Sequence, residues 1–251
     1  MTHRPVIVLC MLICLAGLQL PGSPGWAQGA GDEALLEELA ADYEQAGDRE
    51  VSDPLETWNR AVFSLNDRLY LYLLQPAARG YATVVPEEIR TGVRNAFNNV
   101  QFPLRLVNSL LQGKWTRAAQ ETGAFLITSS VGVLGLLEVS KTMPGLSADL
   151  PREDTGQTLG VWGCPEGVYL VWPVLGPSNV RDTLGRIGDY FLNPLSYLDS
   201  LWLRRGLKAG ERINAQSFNP DEYEEMKQGT LDPYTAFQDG YLQYRRKQIQ
   251  Q

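Results

Sequence analysis

Three adjacent carboxylate pairs, Glu87–Glu88, Glu153–Asp154 and Glu224–Glu225, are the groups best equipped for acid–base chemistry in this chain. Such a pair can protonate a leaving group and activate a water, as in glycoside hydrolysis. Neighbouring acids also suit the positive end of a helix or a solvated face. The second use fits all three pairs, because the usual catalytic companions are missing. The only histidine, His3, and two of the three cysteines, Cys10 and Cys14, fall in the first 27 residues. Those residues read as a secretory signal. Arg4 gives a basic start, Val6 to Leu20 is an apolar run, and "PGSPGWA" ends on the small Ala27. The chain that remains has no histidine and one cysteine, Cys164. Ser-His-Asp and Cys-His catalysis, His/Cys zinc sites and internal disulfides are then excluded. The expectation is a protein that is not an enzyme and carries no cofactor and no metal.

Loss of the signal removes Arg4 as its only charge, leaving 21 basic against 29 acidic residues and a net charge of −8. A nucleic-acid partner is not expected of so acidic a chain. At 251 residues and 44% apolar content, the chain suits one sizeable domain. Residues 28–51 form an acidic, Ala/Glu-rich leader, and 52–251 the helical domain.

One segment asks for a particular environment. "TGAFLITSSVGVLGLL" (122–137) carries no charge and is closed off by Glu121 and Glu138. As a helix it reaches about 24 Å, short of the ~30 Å hydrocarbon core of a bilayer. Thr128, Ser129, Ser130, Gly132 and Gly135 occupy its centre.

The elements around it read mostly as helices. "SDPLE" places Asp53 as N-cap, Pro54 as first helical residue and Glu56 at N3 of a capping box. Trp58, Val62, Leu65, Leu69 and Leu73 then recur at helical spacing, predicting an amphipathic helix that ends near Gln75–Pro76. "PEEIRTGVRNAF" (86–97) is a second helix, followed by a break at "NNVQF". "PLRLVNSLLQG" (103–113) is a third, with Leu104, Asn108 and Leu111 on one face, where a buried Asn needs partners or water. Trp115 starts the helix leading into the apolar segment. Residues 155–180 hold one charge, Glu166, among five glycines and three prolines. There "VYLVW" (168–172) reads as a strand and the residues before it as a turn between short strands. The glycines do not form a nucleotide loop. Helices follow from Ser178, through "PLSYLDSLWLRRGL" and "PDEYEEM", to one opening at Asp232–Pro233. Its stripe of Tyr234, Phe237, Tyr241 and Tyr244 suits docking on the body of the protein, or alternatively a membrane-interface belt.

Four ordered blocks carry a resemblance. "DPLETWNRAVFSLN" (53–66) matches an Asp-Pro-Leu-Glu-x-x-Asn-Arg-x-x-Phe-x-Phe-Asn motif with Leu65 for the second Phe. Pro103, Asn108, Leu111, Gln112 and Gly113 match a second block, "TLGVWG" (158–163) a third and "LGPSNVRD" (175–182) a fourth. Over residues 52–245 the chain resembles the MlaA (VacJ) family of the Gram-negative outer membrane. The family's Arg-Phe-x-x-Asn-Thr and Asp appear here as Ala124, Phe125, Thr128, Ser129 and Glu138, so the chain keeps only the Phe, and it departs again at Thr155 for Phe and at Val168 for Pro. Neither Leu9–Cys10 nor Ile13–Cys14 fits a lipobox, so cleavage after Ala27 without lipidation is expected.

The resemblance implies a mainly α, ring-like single domain with amphipathic helices embedded in the inner leaflet and a small glycine-rich, partly β insert. It implies an amphipathic channel that removes misplaced outer-leaflet phospholipids, passes them to a periplasmic lipid carrier, and sits against a porin trimer. On that reading Leu65, Asn66, Asn108, Thr128, Ser129, Gly132, Gly135, Gly160, Gly163 and Gly167 border the lipid path. Phe125, Leu126, Val131, Leu134, Leu136 and Leu137 face the membrane, since a helix lying in one leaflet needs an apolar face and need not span. An ordinary buried helix with back-bonded hydroxyls is the other reading of 122–137. The competing functions are a soluble periplasmic lipid-binding carrier and a hydrolase working with carboxylates alone.

Overall fold

The computed structural model describes residues 53–132, 136–137 and 152–251; the leader, Gly135 and Leu134 lie outside them. Ten helices and one hairpin come in order among the described residues: α1 (Glu56–Leu69), a π turn (Tyr70–Leu74), α2 (Gln75–Val84), α3 (Glu87–Val100), α4 (Phe102–Leu111), α5 (Trp115–Ser130), α6 (Thr155–Val161), β1 (Tyr169–Trp172), β2 (Gly176–Asn179), α7 (Val180–Leu192), a 3₁₀ turn (Pro194–Tyr197), α8 (Leu201–Gln216), α9 (Glu222–Gln228) and α10 (Pro233–Gln250). Their packing closes into a circuit. The hairpin lies on α1 and leads through β2 to α7 and α10, these to α6, α6 to α4, and α4 to α3. From α3 the circuit continues through α8 and α2 back to α1.

Several boundaries differ from the sequence reading, each for a local reason. Asp53 does accept the Leu55 N–H at 3.0 Å, but Glu56 ion-pairs with Arg60 at 2.7 Å and does not complete a capping box. Pro76 does not end the first helix. The π turn restarts the ladder, and Pro76 falls in the first turn of α2, where its missing N–H costs nothing. Of the apolar stripe along α1 and the π turn, Val62 is buried whereas Trp58, Leu65 and Leu73 are exposed. "NNVQF" is no break, because α3 runs on to Val100 and only Gln101 departs before α4. The strand at 169–172 is present, yet its partner comes after it. A helix, α6, takes the place of the strand expected before it, and residues 176–179 are β2, with α7 capped by Asn179 and not Ser178. Glu153 is not on a solvated face: it is buried and held by Lys114 at 2.8 Å and Arg117 at 2.7 Å. Its neighbour Asp154 is the N-cap of α6, while Glu87, Glu88, Glu224 and Glu225 stand in first helical turns.

A small apolar core, Val62, Tyr169, Val171, Tyr234, Tyr241 and Leu242, joins α1, β1 and α10. The aromatic stripe of α10 thus docks inward at Tyr234 and Tyr241. Elsewhere the distribution is inverted. Among the described residues, fully enclosed side chains are mostly polar, including Asn59, Asn108, Glu153, Gln157 and Asn179, while large apolar groups are exposed all round the circuit.

Candidate functional site

The hairpin is fixed by two asparagines of α1. Asn59 donates to Tyr169 O at 3.1 Å and accepts from Val171 N at 2.8 Å. Asn66 donates to Trp172 O at 2.9 Å and accepts from Val174 N at 2.7 Å. Seven helical residues advance about 10.5 Å and three strand residues about 10 Å, so the two carboxamides meet the strand in register. They replace a neighbouring strand and close the free edge of β1. At the tip, Val174 has φ 66°, unusual for a β-branched residue and sustained only where both sides hold it. Asn66 binds its N–H, and Arg212 of α8 donates to its carbonyl at 2.7 Å.

Beyond the hairpin the circuit is locked by charge. Arg245 of α10 uses all five donors: Nε and Nη2 on Asp182 (2.8 and 3.0 Å), Nη1 and Nη2 on Asp154 (2.6 and 2.9 Å), and Nη1 on Gln248 (2.8 Å). Asp182 also accepts from the Tyr241 hydroxyl at 2.6 Å. Burial alone would raise the Asp182 pKa, but Arg245, with Arg181, holds it down to about 2. The clamp ties α6, α7 and α10 together. It requires Gly156, since a side chain there would collide with Asp182 and Arg245, and Gly185, whose Cβ would strike the Gly156 backbone.

The sequence-named residues fall into three groups. Asn66 holds the hairpin, and Asn108 is enclosed on α4, where it donates to Leu104 O at 2.9 Å and accepts from the Thr158 hydroxyl at 2.7 Å. Ser129 accepts from Asn99 at 2.9 Å, Thr128 is buried, and Ser130 bonds back to Leu126 O at 2.6 Å. The second group is glycines at close quarters. Gly132 faces the Leu137 carbonyl, Gly160 packs on Ile249, and Gly167 packs on Val180. Gly163, at φ +87°, ends α6 in a Schellman motif with Gly163 N to Gly160 O and Cys164 N to Leu159 O, both 2.9 Å, and has open space around it. Third come the apolar positions. Leu65, Leu126, Val131, Leu136 and Leu137 are exposed, whereas Phe125 stacks on Phe102 with centroids 4.1 Å apart. Asn59, Asp182 and Arg245 are not singled out by sequence, while Asp154 and Tyr241 are named there only as part of a carboxylate pair and of an aromatic stripe. Only the intact "LGPSNVRD" and "DPLETWNR" blocks point toward them.

The exterior completes the site. Four tryptophans are at least half exposed: Trp58, Trp115, Trp162 and Trp202, the last at 80%. Among the described residues no helix is long and apolar enough to cross a membrane. The described residues thus combine buried polar contacts with exposed large apolar groups, a distribution that suits a surface covered by other apolar matter.

Comparison with known proteins agrees with this architecture. The family described as MlaA lipoprotein matches residues 51–248. A Rickettsia bellii protein is 34% identical over 209 residues, covering 81% of this chain and 79% of its own. The intermembrane phospholipid transport system lipoprotein MlaA of Escherichia coli K12 is 30% identical, covering 76% of each chain, and its Haemophilus influenzae namesake is 28% identical, covering 80% of each. A solved structure from work on the structural basis for maintenance of bacterial outer membrane lipid asymmetry matches with a TM-score of 0.71 and 30% identity, over 79% of this chain and 100% of that one. The four sequence blocks, the closed helical circuit and the extent of these matches make the chain a member of the MlaA lipoprotein family.

Proposed function

We propose that this protein is a phospholipid conduit of the Gram-negative outer membrane. It removes phospholipids misplaced in the outer leaflet and delivers them to a periplasmic lipid carrier. The observation that carries the reading is the inverted distribution of side chains in a closed circuit. Asn, Asp and Arg clamps fill the interior contacts, while Trp58, Leu65, Leu126 and Trp202 are left exposed. Each large apolar side chain that enters lipid contributes about 1.5–3 kcal/mol, so a few of them hold the body in the inner leaflet without a spanning helix. A soluble carrier would have to leave those groups in water. A porin trimer is the expected neighbour in the membrane. The motif set contains no nucleotide loop, so lipid movement through this chain is passive and its direction is set by partners.

Family relatives are named lipoproteins, and Leu9–Cys10 and Ile13–Cys14 depart from a lipobox. Intact mass of the mature chain tells cleavage after Ala27 from acylation at either cysteine. The functional test is replacement of the resident family member in a Gram-negative host. Restoration of a phospholipid-free outer leaflet supports the conduit. Persistent outer-leaflet phospholipid with the protein present in the outer membrane refutes it.

A further inference from the structure

Between α7 and α8 lies a set of cations of which only Arg212 is also used by the hairpin clasp, at Val174 O. Arg204, Lys208 and Arg212 sit at i, i+4 and i+8 on α8, one face over about 12 Å. Arg186 and Tyr190 lie one turn apart on the facing helix α7. The two helices are bridged by side chains: Arg204 Nη1 donates to the Tyr190 hydroxyl at 3.0 Å, and also to Ser196 O at 3.1 Å. Arg186 is only 5% exposed. Its Nη2 donates to Pro177 O at 3.2 Å, and its Nη1 is buried without a partner among the described groups, as is Nε of Arg204. Pro177 O in β2, which Arg186 meets, and Val174 O at the hairpin tip, which Arg212 meets, are neutral carbonyls.

The acids nearby are engaged elsewhere. Along α7, Asp189 lies three residues from Arg186 and accepts from Thr155 N at 2.9 Å, while Asp182, four residues away, is held by Arg245, Arg181 and Tyr241. Glu211 beside Lys208 accepts from Gln101 at 2.7 Å and its charge supports Lys208 and Arg212, leaving the open donors of Arg186 and Arg204 without an acid of their own. Burial lowers the pKa of Lys208, of Arg186 and of Arg212, and for Arg212 the Arg186 charge lowers it further. Desolvated guanidiniums that repel each other, with unfilled donors on Arg186 and Arg204, are costly unless an anion joins them. Phosphate oxygens suit such donors, because guanidinium binds them through paired hydrogen bonds.

We propose that Arg186, Arg204, Lys208 and Arg212 form an anion stripe that holds the phosphate group of a phospholipid in passage between α7 and α8. This assignment rests on the conduit reading, and it names the part of the lipid this chain grips. The acyl chains need no specific partner, whereas the phosphate is passed along three cations one helical turn apart. The ligand chemistry is a phosphate ester, and a free phosphate ion is the other source of it.

The test uses the full chain purified in a neutral detergent. Thermal unfolding is measured against a short-chain phosphatidylglycerol, against inorganic phosphate, and against chloride at matched ionic strength. The expected result is a saturable rise in Tm with the phospholipid, a weaker one with phosphate, and none with chloride. Arg212→Gln and Lys208→Gln, on the half-buried face of α8, should each weaken the phospholipid response at least fivefold, and Arg186→Gln more. Arg186→Lys should restore part of it. A Tm rise with phosphate that the lipid does not match assigns the site to a free anion and overturns the proposal. Equal responses in wild type and both α8 variants overturn it too, and do so whether or not Arg186→Gln folds. Restoration of lipid asymmetry by the wild-type chain alongside such a failure would leave the conduit standing and remove only the stripe.

Discussion

Replacing Asp182 by Asn should be among the most damaging single-atom changes in this protein. The side chain is 6% exposed and shares Arg245 with Asp154. A carboxyl held at about 2 against an ordinary 3.8 contributes about 2.5 kcal/mol at neutral pH. Neutralising one member of a buried ion pair costs about 3–5 kcal/mol when the other charge is stranded. Asp154 still serves Arg245, so the lower end of that range applies, a loss of about 3 kcal/mol. The lowered pKa sets the sign with pH. This contribution is complete above pH 4 and disappears as pH falls from about 4 through 2, where Asp182 takes up a proton. Denaturant unfolding in detergent, read by tryptophan fluorescence at pH 7 and pH 3, measures both effects. The variant should lose about 3 kcal/mol at pH 7 and show a shallower acid dependence than wild type. A loss under 1 kcal/mol, or an unchanged acid slope, would refute the clamp as the lock of the circuit.

Asp189 behaves in the opposite sense. Burial and the Asp154 charge push its pKa up to about 7, so its ionisation opposes folding and stability is lost as pH rises from about 4 through 7. Asp189→Asn, whose oxygen can still accept from Thr155 N, should raise Tm at pH 8 and leave it nearly unchanged at pH 4, a comparison that calorimetry makes directly. Deleting Leu65 and Asn66 turns the first part of α1 by about 200° relative to the rest of the chain and unhooks Asn66 from the hairpin tip; outer-leaflet phospholipid should change while protein abundance does not, and normal lipid with normal abundance would free Asn66 of any part in the path. Leu126→Glu combined with Trp202→Glu should shift protein from the outer-membrane fraction to the soluble one, as immunoblotting of fractions would report.

Much of the fold was legible in the sequence where local rules act alone. Asp232 and Pro233 start α10 as expected, and "VYLVW" forms a strand because β-branched and aromatic residues between turns have few alternatives. The helical run passes the predicted end near Gln75–Pro76, through the π turn into α2, because Pro at the first turn and Pro in a helix interior look alike until the hydrogen-bond ladder is known. Glycine density misled in the same way. Gly156 and Gly160 lie inside α6 for close packing, and Gly163 serves as its cap, so none of these three makes a turn between strands. The site was less legible than the fold. Asn59 and Asn66, seven residues apart, gain their role only from a strand more than a hundred positions away. Likewise the Asp154–Asp182–Arg245 clamp joins three elements that no local pattern relates.

Movement of phospholipid without nucleotide is the central claim, and leaflet exchange measures it. Vesicles carrying the purified chain with a porin trimer, and an inner-leaflet fluorescent phospholipid, are treated with an impermeant quencher. The account predicts quenching of inner-leaflet lipid faster than in vesicles with porin alone, in the absence of any nucleotide. Equal rates in the two preparations, with the protein demonstrably incorporated, would contradict it.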